Sequence, residues 1–241
     1  MDRLRALVIE DAADIRSLLR DVLAQGGFDV IGAASGQEGL DLAQRLKPDV
    51  ITLDLTLPDI DGIEVCRRLR TVSDAYVIVL SARGEETDRL IGLEVGADDY
   101  MTKPFSPREL RARVGAMFRR PRTADRALDR PSEQPVAHDA HEVFKSGDLM
   151  IDRRSREVTL AGRPVPLTRI EFDLLVELIS DPRRVFERQT LVRRVWQTDW
   201  LGDDHVIDVH VANLRQKLGD TAQDSQWVRT VRGVGYSFNG P

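Results

Sequence analysis

The sequence contains one cysteine, Cys66, so no disulfide can form within the chain. Cys66 lies among helical residues and reads as packing. No apolar run approaches the ~20 residues of a membrane helix. The opening residues Met1-Asp2-Arg3-Leu4-Arg5 run straight into a strand pattern and do not resemble a signal peptide. A cytoplasmic protein with no membrane segment is the expectation. An overall basic excess is also missing: the net charge is −5 and the pI about 5.5. As a whole-chain figure this argues against a nucleic-acid partner. The acidity is uneven, however. Residues 1–118 hold 15 basic and 21 acidic side chains, whereas residues 143–241 hold 15 and 14. The second half does not share the acidity of the first.

The chain is globular by composition, with 41% hydrophobic and 31% charged residues, and 241 residues suit one or two domains. Val50-Ile51-Thr52-Leu53 reads as a short buried strand, and Asp54 follows it directly. A lone aspartate there would equally well cap a turn or a helix. Asp54 has company. Glu10-Asp11 ends the apolar run Ala6 to Ile9, Ser81 ends Val77 to Leu80, and Lys103 ends Tyr100-Met101-Thr102. Strand patterns at about 4–10, 29–34, 50–54, 76–81 and 100–103 alternate with helical ones at about 13–25, 36–46, 62–71, 86–95 and 106–118. Ile15, Leu18, Leu19 and Val22 have the spacing of an amphipathic helix. Five βα units predict an α/β fold with a doubly wound parallel sheet, which binds ligands at the C-terminal ends of its strands. Three acids converging there repel one another unless a cation joins them. All-oxygen ligands with high charge suit Mg²⁺, which keeps waters and accepts a phosphoryl oxygen. Ser81 and Lys103 can hold the remaining oxygens. The expected chemistry is transfer of a phosphoryl group to a carboxylate.

These motifs resemble a response-regulator receiver domain, a flavodoxin-like fold. The resemblance rests on Glu10-Asp11, Leu53-Asp54-Leu55, Leu80-Ser81-Ala82 and the run Gly96 to Phe105. It implies that a sensor histidine kinase phosphorylates Asp54. It also implies that Asp11, Asp54 and the Thr56 carbonyl bind Mg²⁺ with help from Glu10, and that Lys103 meets the phosphoryl group before a cis Lys103-Pro104 bond. Ser81 and Tyr100 become the switch pair. Arg89, Asp99, Glu109 and Arg113 fall where the OmpR/PhoB subfamily pairs charges across a dimer. Arg89–Glu109 and Asp99–Arg113 pairs are expected between two protomers, while Gly115 departs from relatives that place a basic partner for Glu94.

Residues 119–142 lack an apolar period and read as a flexible tether, with a typical end-to-end distance of roughly 25–30 Å as a coil. In the second half, strand patterns at 147–151, 157–160 and 165–167 precede a capping-box signature, Thr168 with Glu171. Further helices are expected at about 187–196 and 204–218. In the last, Ile207, Val211, Leu214 and Leu218 form one stripe. The opposite face presents His205, Val209, Ala212, Asn213 and Gln216, flanked by His210, Arg215 and Lys217. Small, apolar and amide groups with basic edges suit the major groove of double-stranded DNA. Residues 229–238 read as a two-stranded hairpin.

The second half thus resembles the α+β winged helix-turn-helix domain of the OmpR/PhoB subfamily. Leu167-Thr168, Glu171-Phe172, Ile207 to His210, Asn213-Leu214-Arg215 and Val231 to Tyr236 carry the likeness. It implies that Arg232 enters the minor groove, that Tyr236 supports the wing, and that the loop 197–203 faces RNA polymerase in an activator. The expected protein has a receiver at 1–118, a linker at 119–142 and a DNA-binding domain at 143–241. It dimerises when phosphorylated and binds tandem half-sites. An aspartyl-phosphate phosphatase is the enzyme alternative. That chemistry wants an acid two residues after the nucleophile, where this chain has Thr56. The second alternative is a DNA-binding dimer indifferent to phosphate.

Overall fold

The computed structural model describes residues 3–82, 92–118, 143–196, 206–221 and 224–241. The chain divides into two compact units, Met1–Met117 and Phe118–Pro241.

In the first unit, β1 (Arg5–Ile9), β2 (Asp29–Ala33), β3 (Val50–Asp54), β4 (Tyr76–Ser81) and β5 (Asp99–Thr102) form a parallel sheet in the order β2-β1-β3-β4-β5. Helices α1 (Ala13–Gln25), α2 (Gly36–Leu46), α3 (Gly62–Val72) and α4 (Pro107–Phe118) connect or follow the strands. The central strands β3 and β4 are buried at every position, as continuous apolar runs with a helix layer on each face must be. The helix expected at 86–95 lies mostly outside the described residues. Its end is seen, with residues 92–94 helical and Gly96 at φ +113°. Gly62 is fixed by contact rather than by φ. A Cβ there would lie 2.4 Å from the Leu55 Cα, so only glycine lets α3 start against the end of β3.

The second unit opens with an antiparallel sheet of β6 (Val143–Ser146), β7 (Leu149–Asp152), β8 (Glu157–Leu160) and β9 (Arg163–Pro164). The strand expected at 147–151 is therefore half of a hairpin that turns at Gly147, φ +52°. The strand expected at 165–167 reduces to β9 with one further bond, Val165 N–H to Val158 O. Pro164 and Pro166 have no N–H with which to extend it. Helix α5 (Arg169–Ser180) starts at the expected capping box, with both the Thr168 and Glu171 bonds made. Helices α6 (Arg188–Trp196) and α7 (Val206–Leu218) follow. The hairpin of β11 (Val228–Val231) and β12 (Gly235–Phe238) gains a third strand, β10 (Phe186–Glu187), beside β12.

Asp220 ties the end of α7 to the hairpin. Its buried carboxylate accepts from the backbone N–H groups of Thr221, Gln226, Trp227 and Val228 at 2.7–3.1 Å. Removing it orphans several donors beside the buried Trp227. Asp220→Ala is expected to destabilise the second unit by about 2–4 kcal/mol, read by denaturant unfolding followed through tryptophan fluorescence.

Candidate functional site

Sheet register assembles the first site. Ile9 pairs with Leu53, Asp54 with Leu80, and Ser81 with Thr102, so Glu10, Asp54, Ser81 and Lys103 all emerge at one edge. Glu10, Asp11 and Asp54 each bring a carboxylate oxygen within 4.8 Å of the others. The Lys103 ammonium donates to Glu10 Oε2 and to Asp54 Oδ2, both at 2.8 Å. Asp54 Oδ1 accepts from the Thr56 N–H at 3.2 Å. Ser81 is fully buried at the end of β4, and Tyr100 is buried on β5 with its ring beside Gly92. The Lys103–Pro104 peptide bond is cis.

The electrostatics follow from three carboxylates facing one ammonium. Burial pushes the Glu10 carboxyl above its ordinary range, and the charges of Asp54 and Asp11 push the same way, against the bond from Lys103. Burial disfavours the Lys103 charge, but its bonds to Asp54 and Glu10 outweigh that and raise its pKa. Glu10 Oε1 is buried without a hydrogen-bond partner among the described residues. A hard cation fits this set: oxygen donors, excess negative charge and one oxygen still unsatisfied. Cys66 takes no part; burial pushes its thiol up to about 11, so it stays protonated.

Sequence reasoning missed two supports of this edge. Arg16 Nη1, on α1, donates to the carbonyls of Glu10 and Asp11 at 2.7 and 2.9 Å. Asp59 crosses to the start of α2 and accepts from the Gly36 and Gln37 N–H groups at 2.8 and 2.9 Å, which hold its carboxyl below the usual range. Both fasten loops that carry site residues. Neither belongs to a motif.

Three of the four charges expected at a dimer face, Asp99, Glu109 and Arg113, meet within one chain. The buried Arg113 donates to both Asp99 oxygens at 2.6–2.7 Å and to Glu109 at 2.8 Å within the same chain. This bond ties α4 to the start of β5 within the chain. Arg89 lies outside the described residues.

On α7 the expected DNA-facing set needs correction. Ala212 and Gln216 are exposed and Asn213 is half-buried. Val209, His210, Arg215 and Tyr236 are buried. The helix packs on two sides, not on one stripe. On one side the His210 ring lies 5.3 Å from Trp196. On the other, Arg215 donates to Val228 O at 2.6 Å and to Thr230 Oγ1 at 2.7 Å. Lys217 is exposed but pairs with Glu171 at 2.6 Å. Tyr236 bonds inward to Asp208. Arg232 is exposed on the turn between β11 and β12. His205 and the loop 197–203 lie outside the described residues.

A doubly wound unit with an acid-and-lysine edge, joined to a helix-turn-helix with a β wing, is a receiver-type domain followed by a winged-helix domain. Family comparison matches residues 6–115 to "Response regulator receiver domain" and residues 162–238 to "Transcriptional regulatory protein, C terminal". The chain is 40% identical over 238 residues to the alkaline phosphatase synthesis transcriptional regulatory protein PhoP of Bacillus subtilis, covering 98% of this chain and 97% of that protein. It is 42% identical to AfsQ1 of Streptomyces coelicolor, with 98% of each chain covered. It is 40% identical to the DNA-binding response regulator MtrA of Mycolicibacterium smegmatis, covering 99% and 98%. A solved RitR mutant matches over 99% of this chain and all of that one, with TM-score 0.74 and 26% identity. The chain belongs to the two-component response regulators of the OmpR/PhoB subfamily. It is a DNA-binding transcriptional regulator whose receiver takes a histidine kinase as partner. No helix among the described residues is long and apolar enough to cross a membrane.

The acid edge has a signed pH dependence. The folded-state pKa of Glu10 is raised, so its stabilising contribution is complete below the ordinary carboxylate pKa and is lost as pH rises through the raised value. Glu10→Gln is therefore expected to gain more thermal stability over the unaltered, metal-free protein at pH 8 than at pH 4.5. Calorimetry at the two pH values checks this, and an equal difference at both would contradict it.

Proposed function

We propose that Asp54 is the phosphoacceptor and that its phosphorylation turns the chain into a DNA-binding dimer. The observation that carries this reading is the single Lys103 ammonium shared by Asp54 and Glu10, with Asp11 alongside. An Asp54 oxygen attacks the phosphorus of the kinase phosphohistidine as the phosphorus–nitrogen bond breaks. Lys103 then meets the phosphoryl oxygens that arrive next to it. Glu10, Asp11, Asp54 and the Thr56 carbonyl would hold Mg²⁺, which when bound offsets the charge on the transferring group. Arg16 and Asp59 keep the flanking loops in place while the charge at the edge changes. Ser81 turns its hydroxyl toward the phosphoryl group, and Tyr100 settles behind it as the second half of the switch.

The output follows from geometry at the other end of the chain. Receiver dimerisation draws on Arg89, Asp99, Glu109 and Arg113, with Arg113 also held by Asp99 of its own chain. Two receivers then bring two winged helices onto tandem half-sites about 10.5 bp apart. Once one output domain is bound, the tether of residues 119–142 keeps its twin at high local concentration. Ala212, Asn213 and Gln216 face the major groove, and Arg232 on the wing reaches the minor groove. In an activator, the loop 197–203 meets RNA polymerase.

Two experiments test this. Asp54→Asn is expected to abolish labelling by acetyl phosphate or by phosphorylated kinase, measured by intact-protein mass spectrometry. Stoichiometric labelling of that variant would remove Asp54 as acceptor. Arg232→Ala is expected to weaken binding to a selected duplex roughly tenfold at physiological salt, about 1–2 kcal/mol for one groove contact. Unchanged affinity would remove the wing from the interface.

A further inference from the structure

Two of the buried residues, Arg215 and Tyr236, belong to a connected set with Asp208 and Arg188. Asp208, in the first turn of α7, accepts two hydrogen bonds on one oxygen. Tyr236 Oη donates to Asp208 Oδ1 at 2.6 Å, and Arg188 Nε donates to the same atom at 2.8 Å. Two turns further along α7, Arg215 reaches β11 through Val228 O and Thr230 Oγ1. The guanidinium groups of Arg188 and Arg215 lie 5.1 and 5.7 Å from the centre of the Tyr236 ring. Thr230 and Tyr236 are directly paired across the hairpin. Both attachments of α7, about 10 Å apart along its axis, therefore converge on one rung of the wing. The next rung, Val231 with Gly235, is the last before the turn that carries Arg232.

We propose that Asp208 is a positioning residue for DNA recognition: by holding Tyr236 and Arg188 on one oxygen, it locks the recognition helix and the wing into a single unit with one fixed spacing between major-groove and minor-groove contacts. One attachment would leave the helix free to pivot about it. Two attachments set both its position and its angle. The charge logic agrees with the geometry. An aspartate in a first helical turn is favoured by the helix dipole, and bonds to an ionised acceptor are the stronger kind. Burial, then the bond to Asp208, pushes the Tyr236 hydroxyl up to about 12, so it stays a donor at neutral pH. Asp208 gives base selection without touching a base. This rests on the wing contact through Arg232 proposed above.

The test uses the full chain and a duplex isolated by the unaltered protein from a random-sequence library, with a scrambled duplex of equal length as the nonspecific probe. Tyr236→Phe removes one hydroxyl; Asp208→Asn keeps the shape and removes the charge, and serves as the second variant if the first folds poorly. Each is expected to lower affinity for the selected duplex about tenfold and leave scrambled-duplex binding unchanged. An equal loss on both duplexes by a variant whose circular dichroism shows it fully folded would overturn the proposal. The second readout is coupling. Arg232→Ala is expected to cost at least threefold less in the Tyr236→Phe background than in the unaltered one. Equal cost in both backgrounds would overturn the proposal. If Arg232→Ala has no effect in the unaltered protein, the wing contact fails, and amide exchange across residues 228–238 decides the lock separately. Faster exchange in Tyr236→Phe supports the lock, and unchanged exchange overturns it.

Discussion

The receiver depends on one ammonium placed between two carboxylates. Lys103 reaches Glu10 and Asp54 at equal distance because β1, β3 and β5 all end at the same edge of one parallel sheet. Three carboxylates, two of them buried, lie within 4.8 Å of one another there. Lys103 offsets only part of this charge, and among the described residues Glu10 Oε1 has no hydrogen-bond partner. The cluster therefore carries excess negative charge, which a hard cation would offset. The same excess makes the positions of Arg16 and Asp59 important, because loops bearing like charges drift apart unless something fastens them.

The output domain solves the reverse problem. It must meet a polyanion, yet many of its charged groups are turned inward. Arg215, Arg188 and Lys217 hold Val228 and Thr230, Asp208, and Glu171 respectively, and thereby fix α7 against the hairpin and α5. What remains exposed on α7 is narrow: Ala212, Gln216 and the paired Lys217, with Asn213 half-covered. The Asp208 and Arg215 attachments fasten α7 to the hairpin at two points about two turns apart.

The architecture was legible because its signals are local. The run Val50 to Asp54 is a strand with those bounds, the Thr168–Glu171 capping box is made, and the edge residues Glu10, Asp11, Asp54 and Lys103 meet. The misses share a different cause. Reading α7 with one buried stripe assumed one packing partner, but Trp196 covers one side and the hairpin another, which buries Val209, His210 and Arg215. The bond that Arg113 makes to Asp99 of its own chain joins residues fourteen apart, which periodicity could not foresee. Strand β10 has two residues, too few to show a pattern. Each miss turns on which long-range neighbour arrives, and single-helix periodicity carries no record of that.

Sedimentation velocity of the full chain, with and without Mg²⁺ plus beryllofluoride, tests the central claim most directly, because beryllofluoride stands in for the phosphoryl group on Asp54. The expected result is a monomer that becomes a dimer on addition and an Asp54→Asn variant that stays monomeric under both conditions. An unaltered protein with the same sedimentation coefficient with and without the mimic would contradict the account, since the charge at Asp54 would then have no hold on assembly.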